Sequence, residues 1–313
     1  MLQPHFLALL LLVAPPATGD EAYLDALIAE AEANALAAGA RDDGYVDDVE
    51  AREALVQGPL VLIRRGEVEA ALRLFERDLE LAQRRGASAE EQARLLTAFA
   101  LTLDHEDITD KSTPYFRRVI DATRAAYGTL HTDTAYALTD YGIVVSRSED
   151  IRSYQLAEAA LMEAYEIRRE LFGDTAPDTA ASLRYLAARR GHPILTQGDP
   201  ARIEAANELF ELATRAEPYD DAWTIYSEWA LMFGRNGLPE RACNVLTRAS
   251  QDADRLYLTV PMLAEAIASD LELEGHHAHA DAIRAGASGR AGRVGGPASS
   301  CAAIAAQAVG RRL

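Results

Sequence analysis

Cysteine is nearly missing from this chain: its 313 residues include only Cys243 and Cys301, too few for a scaffold built on disulfides. Valine and isoleucine are thin beside alanine, leucine, glutamate and arginine, and no stretch alternates apolar with polar residues as a half-buried strand does. A sheet is therefore not expected, and the composition points to helices throughout. Basic residues are outnumbered, 31 Lys and Arg against 49 Asp and Glu, so the formal net charge of −18 repels phosphate backbones and anionic lipid headgroups. Nucleic acid is not an expected partner. The chain also lacks a GxSxG elbow, an HExxH helix and a phosphate-cradling glycine loop ahead of a helix, so neither an enzyme nor a bound cofactor is expected.

The apolar run from Phe6 to Val13 is shorter than the ~20 residues a transmembrane helix needs. Pro15 and Pro16 break it, and Ala17-Thr18-Gly19 supplies small residues where a signal peptidase cuts. Residues 1–19 therefore read as a secretory signal peptide, cleaved near Gly19 to leave Asp20 first. No cysteine follows to carry a lipid anchor. The expected mature protein is soluble, periplasmic or secreted, and not inserted in a membrane.

What the chain does have is repetition. Tyr127-Gly-Thr-Leu-His-Thr-Asp-Thr-Ala and Phe172-Gly-Asp-Thr-Ala-Pro-Asp-Thr-Ala echo each other 45 residues apart, each closing one amphipathic helix and opening the next. Repeats of that length mark arrays whose units cannot bury their apolar faces alone and must stack. Residues 20–48 form a leading helix and an acidic turn. The spacing of Asp42, Asp43, Asp47 and Asp48 in that turn does not suit a calcium loop. Residues 49–285 divide into six helical hairpins at Gly, Pro and Asp breakers, and residues 286–313 form a Gly-rich linker and a tail.

The periodicity places Ala71 and Phe75 on one face of the first hairpin, and Ala135, Leu138, Gly142 and Val145 on a core face in the third. Ala157, Leu161, Ala164 and Leu171 fall on the facing helix. Thr132 or Asp133, and Asp178 in the second copy, are expected to cap their helices. Cys243 lies on a predicted helix and Cys301 in the tail, so two free thiols are expected. A bond between them would pin the tail to the fifth hairpin.

The fifth hairpin carries a family likeness. Tyr226, Trp229, Ala230, Phe233, Gly237, Ala242, Leu246 and Ala249 follow one another at the spacing of a tetratricopeptide repeat (TPR), and the chain resembles that family from about Glu50 to Ala285. Small residues let two helices approach closely, and the large ones fill the space between hairpins. Ala206, Phe210, Ala213 and Pro218 repeat the second half in the fourth hairpin. The sixth keeps Gly275 and Ala280 but has Arg284 at an apolar position, which suits a polar end cap. The third and fourth hairpins look more specifically like the kinesin-light-chain subtype: Tyr127-Gly128 precedes His131-Thr132-Asp133-Thr134-Ala135, Phe172-Gly173 precedes Pro177-Asp178-Thr179-Ala180, and Tyr154 precedes Ala157-Glu158. The resemblance implies an all-α fold, a right-handed α-α superhelix or solenoid of about six TPR-like hairpins.

It also implies where a partner binds. First helices of such hairpins line the inner groove, so Tyr136, Asp140, Arg184, Tyr185 and Trp223 become the candidate contacts for a protein or peptide partner, although all are equally placed for ordinary helix packing. The expected function is an exported protein-interaction scaffold. The alternative is a metal- or small-ligand-binding accessory protein of the cell envelope, using a pocket between hairpins or the histidines near 276. On a helix His276 and His279 share a face, as two metal ligands must, but no nearby Cys completes a tetrahedral set, and solvated histidines are the expected reading.

Overall fold

The computed structural model describes residues 56–215, 222–251 and 260–288, together with Ala26. The expected signal peptide, the leading helix and acidic turn, Pro218, Cys301 and the tail beyond Ser288 lie outside the described residues. Among the described residues every regular element is helical. The chain forms two compact units, residues 1–87 and 88–313.

In the first unit α1 (Gln57–Arg64) packs on α2 (Val68–Arg84). Gly66 makes the turn between them with φ of 83°, a left-handed conformation that costs a glycine little. Leu60 and Ile63 from α1, and Ala71, Leu74 and Phe75 from α2, are buried, so the sequence pattern of the first hairpin corresponds to a core face.

The second unit holds five hairpins: α3 (Ala89–His105) with α4 (Thr109–Tyr127), α5 (Thr132–Val145) with α6 (Ile151–Phe172), α7 (Pro177–Arg190) with α9 (Pro200–Ala213), α10 (Ala222–Arg235) with α11 (Pro239–Gln251), and α12 (Val260–Leu273) with α13 (His277–Ser288). The loop after α7 contains a short helix, α8 (Pro193–Thr196). First helices pack on first helices, α5 on α7, α7 on α10 and α10 on α12, while the second helices α11 and α13 also pack on each other. Successive hairpins therefore share one continuous core. In its later part Phe210, Tyr226, Trp229, Phe233, Leu246 and Leu271 are all buried together.

Small residues set the helix spacing. A Cβ at Gly142 in α5 would come within 2.7 Å of Leu161 in α6, and one at Gly234 in α10 within 2.7 Å of Leu271 in α12. Both are closer than carbon atoms pack, so glycine is required for the approach. Leu171 departs from the expected core face: it is 38% exposed in the last turn of α6, beside the exposed Phe172.

Helix starts are set by local hydrogen bonds, and several differ from the expected ones. Ser88 and Glu91 form a reciprocal capping box on α3: Ser88 Oγ accepts from the Glu91 N–H at 3.1 Å, and the Ser88 N–H donates to Glu91 Oε2 at 2.6 Å. At α5 the cap is His131 rather than Thr132 or Asp133; its Nδ1 accepts from the Asp133 N–H at 3.2 Å. Thr134 instead donates its hydroxyl to the Gly128 carbonyl at 2.8 Å and ties the turn to the helix. At α7 Asp178 sits within the first turn and does not cap, because Ala176 is the boundary and Pro177 takes the first helical position. The return helix of the second hairpin starts at Thr109, and Pro114 lies inside it.

Ion pairs join neighbouring hairpins at one repeat of separation. Arg124 of α4 meets Glu163 of α6 at 2.5 Å, Arg241 of α11 meets Glu204 of α9 at 2.8 Å, and Arg248 meets Glu211 at 3.2 Å on the same two helices. Arg235 of α10 grips Glu274, just past α12, with two nitrogens. The residues of these pairs stand 37 to 39 positions apart in sequence. At the last hairpin Arg284 bonds both Glu265 and Glu272, so the position where the repeat expects an apolar residue carries an ionic clasp.

Candidate partner-binding face and its polar cavity

The first helices α5, α7, α10 and α12 stand side by side, and the five candidate contacts fall on three of them. Tyr136 is half-buried, with the Arg168 guanidinium 4.7 Å from its ring centroid. Arg168 comes from α6, is only 3% exposed, and donates to Thr139 Oγ1 at 2.9 Å and Ser182 Oγ at 2.6 Å. One arginine thereby links α5, α6 and α7 beneath Tyr136. Asp140 is half-buried one turn further along α5.

Arg184 is 8% exposed and lies inside the hairpin contact, where it donates to Glu228 Oε1 of α10 at 2.5 Å. Its guanidinium also lies 4.0 Å from the Tyr185 ring centroid. Tyr185 is half-buried, and Trp223 packs partly buried against the core. Tyr136, Asp140, Tyr185 and Trp223 are thus the half-buried members of the candidate set, and the three aromatics are backed by packed residues.

A cavity of about 400 Å³ lies along this face. It is lined from the end of α7, from α10 and from α12, with Arg189, His192, Trp223, Glu228 and Arg235 among its walls. The sequence signal for it was faint, because these residues sit far apart in the chain and match no chemical motif.

His192 is the residue that locks the cavity's edge. Its Nδ1 accepts from the Ile194 N–H at 3.4 Å, capping α8, and its Nε2 lies 3.2 Å from the Tyr154 hydroxyl of α6. With Nδ1 serving as acceptor, the neutral tautomer carries its proton on Nε2 and donates to Tyr154. Burial pushes the His192 pKa down to about 4, and the charges of Arg235 and Arg189 act in the same direction. Burial pushes the Glu228 carboxyl above its usual range, and Arg184, Arg189 and Arg235 pull it back.

The histidines near the last hairpin meet differently. His276 and His279 stack with ring centroids 5.6 Å apart, and the His279 ring lies 3.7 Å from the position of a Cβ at Gly237. Among the described residues no group of three or more His, Cys, Asp or Glu side chains comes together to hold a metal ion. Cys243 is buried on α11. No helix among the described residues is long and apolar enough to cross a membrane.

No protein-family model and no curated protein matches the chain. Among solved structures the chain is similar to BtubC (BKLC) from P. vanneervenii, with 17% sequence identity, a TM-score of 0.50, and coverage of 75% of this chain and 93% of that one. At that identity the likeness is one of fold. With the helices and their packing it gives an all-α, TPR-like helical repeat of the solenoid type.

Proposed function

We propose that this protein is an exported, non-catalytic interaction scaffold that holds a partner protein or peptide against the face made by α5, α7 and α10. The observation that carries the reading is the placement of Tyr136, Tyr185 and Trp223 on adjacent first helices, half-buried and supported from behind by Arg168, Arg184 and the core. Aromatic side chains held in one orientation lose little entropy on binding and bury much area, which makes them strong anchors. Because consecutive hairpins share a core, that face is held in register over three units. The third and fourth hairpins belong, on this reading, to the kinesin-light-chain type. The partner is a protein and not nucleic acid, since a chain of net charge −18 gains nothing from phosphate.

Site-specific photo-crosslinking tests the face. A benzophenone residue at Tyr185 or Trp223 is expected to trap the partner, while the same probe at Leu212, exposed on the second helix α9, is expected to stay silent. Equal trapping at all three positions overturns the reading. Export is tested by sequencing the amino terminus of the protein recovered outside the cytoplasm: Asp20 should come first, and retention in the cytoplasm with Met1 intact contradicts it.

A further inference from the structure

The cavity between α7, α10 and α12 has a volume of about 400 Å³, within the range that holds small ligands. Its lining mixes the apolar side chains Trp223, Leu231 and Met232 with the charged Arg189, Arg235, Glu228 and Asp270.

Not every charge of that lining is held in an ion pair. Glu228 is engaged by Arg184, and Glu274 is gripped by Arg235. Arg189 has no such carboxylate. Its guanidinium lies 5.2 Å from the Tyr154 ring centroid and its Nε has no hydrogen-bond partner, while the Glu228 charge acts on it from beyond ion-pair distance. Asp270 lines the cavity too, but it is exposed at the rim, where water screens it.

A guanidinium taken out of water is costly unless an anion offsets it. Burial indeed lowers the Arg189 pKa, with the interactions with Tyr154 and Glu228 partly opposing that shift. Arg235 and Arg189 together also help to keep the neighbouring imidazole neutral, so it adds no positive charge of its own.

We infer that this cavity binds a carboxylate ligand, its anionic group against Arg189 and its apolar or aromatic body against Trp223, Leu231 and Met232. Two sources carry that chemistry, a free small molecule and an acidic side chain of a bound peptide segment. The inference goes beyond the scaffold reading, because it concerns the cavity alone and fails or holds independently of what lies along the rest of the face.

The two tryptophans of the chain report on it separately: Trp223 lines the cavity, and Trp229 is buried with its Nε1 donating to Asn207. The full-length protein is titrated with phenylacetate, phenylacetamide and the blocked tripeptide acetyl-Ala-Glu-Ala-amide while the indole N–H resonances are followed. Phenylacetate should shift the Trp223 signal saturably and leave that of Trp229 in place. Phenylacetamide should bind about ten-fold more weakly or less, the loss expected for a charge-assisted contact. Arg189→Met should weaken phenylacetate to the same degree with unchanged helical circular dichroism, and Arg189→Lys should keep part of the affinity. A response to the tripeptide assigns the carboxylate to a partner's side chain; its silence beside a phenylacetate response assigns it to a free small molecule. Equal binding of amide and carboxylate, or no saturable shift with either carboxylate at millimolar concentration, overturns the inference. If Arg189→Met does not fold, the amide comparison on the natural protein decides.

Discussion

Trp229 owes its orientation to a short polar chain: its indole N–H donates to Asn207 Oδ1 at 2.9 Å, and Asn207 Nδ2 donates to Glu204 Oε1 at 2.8 Å. Both Trp229 and Asn207 are buried, so losing the acceptor leaves an indole N–H without a partner. Asn207→Leu should destabilise the protein by about 1–3 kcal/mol. Urea denaturation checks it, and an unchanged midpoint contradicts it. His192 makes the residue-scale case for pH. Its folded pKa of about 4 lies below the ~6.5 of an unfolded chain, so protonation favours unfolding. The stability it contributes is complete above pH 6.5 and is lost progressively as pH falls toward 4. His192→Asn keeps an acceptor for the Ile194 N–H and should flatten that part of the stability curve relative to the natural protein. Parallel curves between pH 6.5 and 4 would show that His192 is not the titrating group. Residues that fill space, such as Ala230, Phe233 and Ala242, could be read from sequence because their size is their role. His192 and Asn207 could not, since their roles depend on partners on other helices.

At the scale of helices, the contact of α5 with α6 turns on Gly142. A methyl group there would meet Leu161 Cγ at 2.7 Å, so Gly142→Ala forces the two helices apart and should cost about 1–3 kcal/mol despite alanine's better helix propensity. Thermal unfolding measures the outcome, and a gain in stability refutes the close-approach argument. Breaker residues made most helices legible in the sequence. Their ends were less so: the caps expected at Thr132 or Asp133 and at Asp178 are not the ones formed, and the loop after α7 hides the four-residue α8. The boundaries depend on which side chain reaches a free amide. At α5 that was His131, whose ring also stacks on Tyr127 at 4.7 Å, a contact that no propensity records.

At the scale of the molecule, the two echoes at Tyr127 and Phe172 set the register of the repeat, and the hairpin order of the second unit follows from them. The ion pairs between neighbouring hairpins were hidden by their own regularity, because an Arg and a Glu some 37 to 39 positions apart look like any two charged helix residues. Half-exposed pairs of this kind contribute about 0–1 kcal/mol each, so they favour one stacking register more than they add stability. The face along α5, α7 and α10 is the product of that stacking. The binding role proposed for it was legible only through the resemblance, whereas the cavity at Arg189 emerges once three helices meet.

The central claim is that this face captures a partner, and affinity capture from an envelope extract tests it most directly. The natural protein is compared with a variant carrying Tyr136→Ser, Tyr185→Ser and Trp223→Ser, with helical circular dichroism recorded for both. The account predicts a partner enriched on the natural protein and reduced about ten-fold or more on the variant, at unchanged helicity. The same partner recovered equally on both would contradict it.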